Sequence, residues 1–442
     1  MGNGRMLVRF PHDKKAATMS IKTYKYRIYA NKTTTDKLYG VLNLCRELYN
    51  AALQERRDAY DIKVKRHPNY YDEPMRKQLT KDFAIGVYEQ KRDLVEIKEV
   101  IRPEYQEIAS HVLQDVLFRL EKGFKAFFRR IKNGEKPGYP RFQGWTRYTS
   151  FTYPDGAGWK LEQHKRPETN KGVFRVDLYL TKIGTVKLHV HRDMAGTIKT
   201  LTIKREGEHF YAVFTCEIGK PEALPVSYED VGIDLGITHF AALSTGEFID
   251  NPRKSRKAEK KLTKLQTALS RKKRGSHRRN KAVQAVAKAH RKIRNQRADF
   301  LHTQSRKLVN RFQVIAFEDL QIDNLLKRPK PKQDEDGTYL PNGAAAKAGL
   351  NKSISDAGWG QFIQYCTYKA AWAGRTVVQV DPKYTSQICS GCGAIVKKVL
   401  SDRWHSCECG TSLDRDHNSA ITILGRGKQH LLGGTRPTRG TA

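Results

Sequence analysis

The stretch VGIDLGI, residues 231–237, decides how the rest of the chain is read. In a strand, Val231, Ile233 and Leu235 point one way and Gly232, Asp234 and Gly236 the other. The apolar set belongs in a core. The opposite set is a lone carboxylate with glycine on both sides, which leaves room for a bulky ligand to approach it. An acid inside an apolar strand costs free energy unless its charge is compensated, and a bound metal is one such compensation. A structural ion pair is the competing reading.

Two further acids fit the same pattern. In QVIAFEDL, residues 313–320, Glu318 ends an apolar run of strand type with Val314 and Ala316 on its face; a solvated strand end would look the same. In LDRDHNSAITIL, residues 413–424, Asp414 and Asp416 open an apolar helix, where an acid also serves as a cap. Taken singly, each acid has an ordinary explanation. Taken together, three carboxylates at the ends of separate core elements can converge on two magnesium ions. Two ions about 4 Å apart clamp the attacking and leaving oxygens of a phosphodiester displacement. Magnesium takes hard oxygen ligands and keeps several waters, so few protein ligands suffice.

Four of the seven cysteines fall in CSGCGAIVKKVLSDRWHSCEC, residues 389–409. The spacing is Cys389-x2-Cys392, fourteen residues, then Cys407-x-Cys409. Two close pairs joined by a short hairpin surround one zinc tetrahedrally. The second pair is the tighter, and His405 is placed to substitute for one ligand. A full thiolate shell has no open position, which makes the zinc structural and puts the chemistry elsewhere. Cys45, Cys216 and Cys366 sit in apolar patterns and read as small buried hydrophobes. This usage does not suggest a disulfide scaffold and fits a reducing compartment.

The chain has 442 residues, with 82 Lys plus Arg against 46 Asp plus Glu, a formal charge of +36. That excess calls for a polyanion, with nucleic acid the default candidate. No run approaches the roughly 18 apolar residues of a membrane helix, and no membrane partner is expected. Residues 1–17, MGNGRMLVRFPHDKKAA, lack the apolar stretch of a secretory signal. A cytoplasmic location follows as the expectation.

Periodicity sets the organisation. SIKTYKYRIY, 20–29, reads as a strand. Leu38, Val41, Leu42, Cys45, Leu48, Tyr49 and Leu53 form a helical stripe, with Thr35 and Asp36 as cap residues; a second stripe runs from Ile108 to Phe127. Strand patterns at 174–180, 185–191, 200–204 and 210–217 make a barrel-like β module that takes in the first strand, with the helices inserted between. KPEALP, 220–225, reads as a linker, 251–310 as basic helices, 327–349 as a polar mobile segment and 354–374 as one helix. Residues 1–19 and 426–442 read as tails.

GIDLGI (232–237), IAFEDL (315–320) and a four-cysteine ribbon followed by LDRDHNSA (413–420) resemble, in that order, the split RuvC nuclease motifs of the TnpB family. These are transposon-encoded, RNA-guided DNA endonucleases related to compact type V CRISPR effectors. TYKYRIY (23–29), CRELYN (45–50), KPGYPRF (136–142), ALSRKKRGSHRRNKA (268–282) and DPKYTSQICSGCG (381–393) resemble further parts of it, so the likeness spans roughly residues 20–425. HNSA departs from the commoner NAA by exchanging one small residue for another.

The resemblance implies an α/β RNase H-like (RuvC) nuclease domain with an inserted zinc ribbon, plus a β-barrel wedge domain carrying an inserted helical recognition lobe. The corresponding segments are the wedge over 20–31 and 133–225, the lobe over 32–132, the nuclease over 226–388 and 412–425, and the ribbon over 389–411. Asp234, Glu318 and Asp416 match the catalytic, magnesium-binding acids, and Cys389, Cys392, Cys407 and Cys409 the zinc ligands. Arg415 lies beside the site, within reach of phosphate. Arg271, Lys272, Lys273, Arg274, Arg278 and Arg279 are the candidate nucleic-acid contacts; a solvated charged face is the competing reading. The aromatics of 139–148, interleaved with Arg141 and Arg147, suit base stacking and core packing equally. The implied function is cleavage of double-stranded DNA, directed by a guide RNA and a short motif beside the target, by a monomer, with a homodimer as the alternative. A guided repressor that does not cut, an unguided RuvC-like resolvase and a strand-joining transposase are the rivals.

Overall fold

The computed structural model describes residues 20–163, 174–219, 221–399 and 402–433. The tail expected over 1–19 lies outside them, as do residues 434–442. The chain divides into two units, Met1–Lys220 and Pro221–Ala442.

The first unit opens with β1 (Ser20–Tyr29) and α1 (Lys32–Asp58). Asn31 Oδ1 accepts the Thr34 N–H at 2.8 Å, so the helix starts a turn before the Thr35–Asp36 cap read from the sequence. Asn is as good an N-cap as Asp, and its position ahead of three threonines wins. Helices α2 (Glu73–Asp82), α3 (Val87–Glu96) and α4 (Ser110–Lys132) follow. The sheet then comprises β2 (Ser150–Tyr153), β3 (Trp159–Gln163), β4 (Phe174–Leu180), β5 (Gly184–Val190), β6 (Thr197–Glu206) and β7 (His209–Ile218), in the order β2-β6-β7-β1-β5-β4-β3. Strands β2 and β3 are additional to those read from the sequence.

Among the described residues β2 and β3 are edges and do not pair, so the hydrogen-bonded ladder stays open where a barrel was expected. The sheet is nonetheless strongly coiled: Tyr153 Oη, on β2, donates to Thr181 O beyond β4 at 3.4 Å. Helices and sheet share one core. Leu42, Cys45, Leu113 and Leu117 belong to the same buried cluster as Tyr24, Tyr26, Phe151 and Phe214.

The second unit carries β8 (Asp230–Leu235), β9 (His239–Leu243) and β10 (Phe248–Asp250), an antiparallel run, then α5 (Lys254–Ser270) and α6 (His277–Arg311). Strand β11 (Val314–Glu318) runs parallel to β8. After it come α7 (Ile322–Leu325), a hairpin of β12 (Lys332–Gln333) and β13 (Tyr339–Leu340), α8 (Ala344–Ala357), α9 (Trp359–Ala373) and β14 (Thr376–Val380), parallel to β11. The hairpin β15 (Trp404–Ser406) and β16 (Ser412–Asp414) leads into α10 (Arg415–Leu431). The sheet order is β10-β9-β8-β11-β14.

Several expected boundaries move. The polar 327–349 segment contains a short hairpin and the first turns of α8. The single helix expected over 354–374 is two, broken at Gly358, whose φ of +71° ends one helix and starts the next. The linker lies on the second unit, since Leu224 N–H donates to Ala373 O at 3.0 Å and Arg375 Nη2 to Pro225 O at 2.6 Å. The C-terminal tail does not begin at 426: α10 continues to Leu431, and Arg426 donates to Asp381 O at 2.6 Å.

One face of the sheet, including Val231, Ile233 and Phe317, shares a core with Leu301 and Leu308 of α6 and Phe362 and Cys366 of α9. The other face is covered by α10, with Ile423 clustered on Ala316, Val378 and Val380. This corrects the reading of the glycines around Asp234. A Cβ on Gly232 would lie 2.0 Å from Ala420 O, and one on Gly427 would lie 2.7 Å from Ala316 Cβ. Gly232 makes room for α10, not for a ligand, and Gly236 is confined by His239 O, 2.9 Å from where its Cβ would be.

Candidate active site and thiol cluster

Ile233 pairs with Phe317 in the parallel β8–β11 ladder, so Asp234 and Glu318 follow at the carboxyl ends of neighbouring strands. That end of an open α/β sheet is where ligands bind. Helix α10 brings the third acid. Asp414 caps it, its Oδ1 accepting the N–H groups of Asp416 at 2.8 Å and His417 at 3.2 Å. The capping role thus falls to Asp414 and leaves the Asp416 carboxylate free for other work. Arg415 donates to Asp416 Oδ1 from Nε at 3.2 Å and Nη2 at 3.1 Å, and its Nη1 donates to Asp402 O at 2.8 Å.

Asp234 feels the other two acids. Burial, then the like charges of Glu318 and Asp416, push the Asp234 carboxyl up to about 8; a hydrogen bond from Ser419 and the Arg415 charge pull against this. Burial also raises Glu318, opposed by the Thr385 hydroxyl and by Arg426. Among the described residues, the four thiols are the one group of three or more Cys, His, Asp or Glu whose ligand atoms all lie within 4.8 Å of one another.

Sequence reasoning missed Thr385, Asn418 and Ser419. Thr385 donates to Glu318 Oε1. Asn418 is fully buried, its Nδ2 donating to Ile388 O at 2.7 Å and its Oδ1 accepting from Ser390 N–H at 2.9 Å. Ser419 supplies the hydrogen bond to Asp234 from the position where the sequence showed only an exchange of small residues. A one-turn spacing from Asp416 was the available signal.

The thiols form a compact group. Cys389 Sγ lies 3.6 Å from Cys409 Sγ, and Cys392 Sγ 3.6 Å from Cys407 Sγ. A tetrahedron of sulfurs about 2.3 Å from a zinc has edges of ~3.8 Å, close to what is seen. The backbone turns back at both pairs, Gly393 N–H donating to Cys389 O at 2.9 Å and Gly410 N–H to Cys407 O at 3.0 Å. Desolvation opposes ionisation of Cys389, but hydrogen bonds from the Cys392 N–H, His405, Thr411 and the Gly391 N–H outweigh it and bring the thiol down to about 5. His405 is buried beside the cluster, with Nδ1 bonded to Lys398 Nζ, and is not one of the four converging ligands. The other cysteines, Cys45, Cys216 and Cys366, are fully buried, as expected.

Of the basic residues, Arg271, Lys272, Lys273 and Arg274 occupy the exposed turn between α5 and α6, and Arg278 is exposed at the start of α6. Arg279 instead turns its Nη1 to Leu269 O at 3.2 Å and Lys272 O at 3.0 Å, closing that turn. Tyr139, Phe142 and Trp145 are each more than two-fifths exposed, whereas Tyr148 is in the core.

Known proteins bear on this arrangement. A family profile described as "Probable transposase" matches residues 213–328, one described as "Cas12f1-like, TNB domain" matches 359–423, and a "Helix-turn-helix domain" profile matches 19–63. The last span folds here as β1 followed by α1. Two relatives carry the name "Putative RNA-guided DNA endonuclease". The one from Streptomyces pristinaespiralis is 31% identical over 417 residues, covering 92% of this chain and 89% of its own. InsQ from Escherichia coli K12 is 31% identical over 344 residues, covering 77% and 80%. The mini-RNA-guided endonuclease CRISPR-Cas_phi3 has a similar fold, with a TM-score of 0.53 at 9% identity over 92% of each chain. The profile and relative names are those of transposases and RNA-guided DNA endonucleases. The chain belongs to the TnpB family.

No described helix is long and apolar enough to cross a membrane.

Proposed function

We propose that this protein is an RNA-guided DNA endonuclease. It binds a guide RNA, recognises a short motif beside the target and cleaves double-stranded DNA by magnesium-dependent phosphodiester hydrolysis at one RNase H-like (RuvC) site. The observation that supports the reading is that Asp234 and Glu318 end neighbouring parallel strands, with Asp416 near enough that, after burial, its charge and that of Glu318 raise the Asp234 carboxyl.

Asp234, Glu318 and Asp416 are the ligands for a pair of Mg2+ ions; all three carboxylates are half-buried, and hard oxygen donors of this kind suit divalent cations. Bound there, the ions supply activation of water and stabilisation of the leaving 3′ oxygen. Ser419 hydrogen-bonds Asp234. Arg415 steadies Asp416 and stands ready for a phosphate. Cys389, Cys392, Cys407 and Cys409 hold a structural Zn2+, for which their spacing is suited. The exposed Arg271, Lys272, Lys273, Arg274 and Arg278 bind phosphates of the guide RNA or its hybrid with DNA, with Arg279 shaping their turn. The protein works as a monomer in the cytoplasm of a prokaryotic cell, on the nucleoid.

The test is to express the chain with the DNA that flanks its gene and to sequence the RNA that copurifies. One discrete RNA with a constant scaffold and a variable end is expected, and the variable end names the target. The complex should cut that target with Mg2+ and not with EDTA. A random mixture of cellular RNA that salt removes would overturn the guided reading and make branched DNA the next substrate.

A further inference from the structure

Thr385 is only 3% exposed, and its hydroxyl donates to the Glu318 carboxylate from a loop that joins β14 to the first cysteine. The same oxygen lies 3.0 Å from Pro382 O, but an ionised carboxylate is the stronger acceptor. Helix α10 clamps the loop at both ends. Arg426 Nη1 donates to Asp381 O at 2.6 Å and Lys383 O at 2.9 Å, and the Asn418 side chain bonds the backbone of Ile388 and Ser390 on either side of Cys389. Between the clamps Tyr384 has a φ of +60°, and its carbonyl accepts the N–H groups of Gln387 at 3.0 Å and Ile388 at 2.9 Å. A non-glycine residue stays in that conformation only where its surroundings over-determine it. This clamped, strained turn delivers a single hydroxyl to a single acid.

We propose that Thr385 is a positioning residue for Glu318: its hydroxyl fixes the direction of the carboxylate, and α10, which carries Asp416, fixes Thr385. This rests on the reading of Glu318 and Asp416 as nuclease acids. Two of the three acids are then set by one rigid assembly that also anchors the start of the thiol ribbon. A group that orients a metal-binding carboxylate is worth roughly 10–100-fold in metal affinity or activity.

The test compares Thr385→Val, which keeps the shape and loses the donor, with Thr385→Ser, which keeps the donor. Both are studied as the full chain with its copurified RNA, beside Asp234→Ala. For Thr385→Val the single-turnover cleavage rate should fall about tenfold or more. The Mg2+ concentration for half-maximal rate should rise, while affinity for guide RNA and target DNA stays at the wild-type value. Mn2+ bound in excess of the Asp234→Ala complex, read from the free-ion EPR signal, should weaken in parallel. Thr385→Ser should restore rate and metal dependence to within about threefold, in keeping with retention of the donor. If the valine variant fails to bind guide RNA, Thr385→Ala replaces it in the same comparison. A donor-free variant with wild-type rate and metal dependence overturns the proposal while Asp234→Ala remains inactive, and so does a serine variant as impaired as the donor-free one. Cleavage by Asp234→Ala overturns the reading of the acids as well.

Discussion

The thiol ribbon takes its four ligands from one short stretch, residues 389–409, whereas the acid cluster takes three from β8, β11 and the start of α10, between residues 234 and 416. The thiols already stand within 4.8 Å of one another. The ribbon is therefore a local construction whose geometry the chain makes by turning back on itself. The acid cluster is a product of the whole second unit, and whatever shifts a strand or helix in it shifts the chemistry. The predictions below separate these two modes of assembly.

The largest effect is expected at the acids. Asp234→Ala should lower single-turnover cleavage by at least roughly a thousandfold, the several kcal/mol that a lost metal-ion contribution represents. RNA binding should stay near wild type. Cleavage at the wild-type rate would remove Asp234 from the site. Next come the thiols: Cys389→Ser with Cys392→Ser should cut bound zinc, measured by elemental analysis, from about one per chain to near none, since a structural zinc needs its full ligand set. Retention of one zinc would point to other ligands, His405 first among them.

The third prediction joins fold to site. Gly232→Ala sets a methyl against the α10 backbone, where the space is 2.0 Å, and should cost about 3 kcal/mol by thermal unfolding, the upper range for overpacking. It should also depress cleavage without touching an acid; unchanged stability would mean that α10 sits elsewhere.

A smaller effect separates burial from function. The folded protein holds the Asp234 proton up to about pH 8, against an ordinary value of 3.8. Ionising this carboxyl opposes folding, and the penalty is absent below pH 4 and grows as pH rises towards 8. Without added divalent metal, Asp234→Asn should therefore gain in melting temperature over wild type between pH 4 and 8, and the gap should narrow when Mg2+ is added. A gap that does not change with pH would remove the burial argument. The smallest effect is at the α5–α6 turn. Changing Arg271, Lys272, Lys273 and Arg274 to Ala should flatten the salt dependence of RNA binding by roughly 0.7 in slope per lost phosphate contact. An unchanged slope would make that turn a solvated face.

The contrast also explains what the sequence could disclose. Cysteine spacing alone located the ribbon, because a metal tetrahedron built from two tight turns close in the chain leaves its distances in the spacing. The strands and helical stripes were legible for the same reason: β8 and α1 write their buried faces as periods of two and of three to four. Asp234, Glu318 and Asp416 were each ambiguous alone and were joined by resemblance and by the order of their motifs. Thr385 and Asn418 were invisible, since a threonine in a loop and an asparagine in a helix carry no periodic signal of the partner they meet. Gly232 was seen and misread, because a glycine that admits a ligand and one that admits a helix look identical in a string of letters. β2 and β3 were missed as short strands without sustained alternation, and Gly358 was passed over because the helical pattern resumes directly after it.

The core shared by α1, α4 and the coiled sheet of the first unit has a bearing on engineering. A helical element that could be exchanged between relatives would need its own interior. Here a cut at residues 32 and 132 would pass between Leu42, Cys45 and Leu113 on one side and Tyr24, Phe151 and Phe214 on the other, exposing both. The smallest portable block is the helices together with all seven strands. Chimeras joined at the start of the second unit should express, whereas grafts of the helices alone should aggregate.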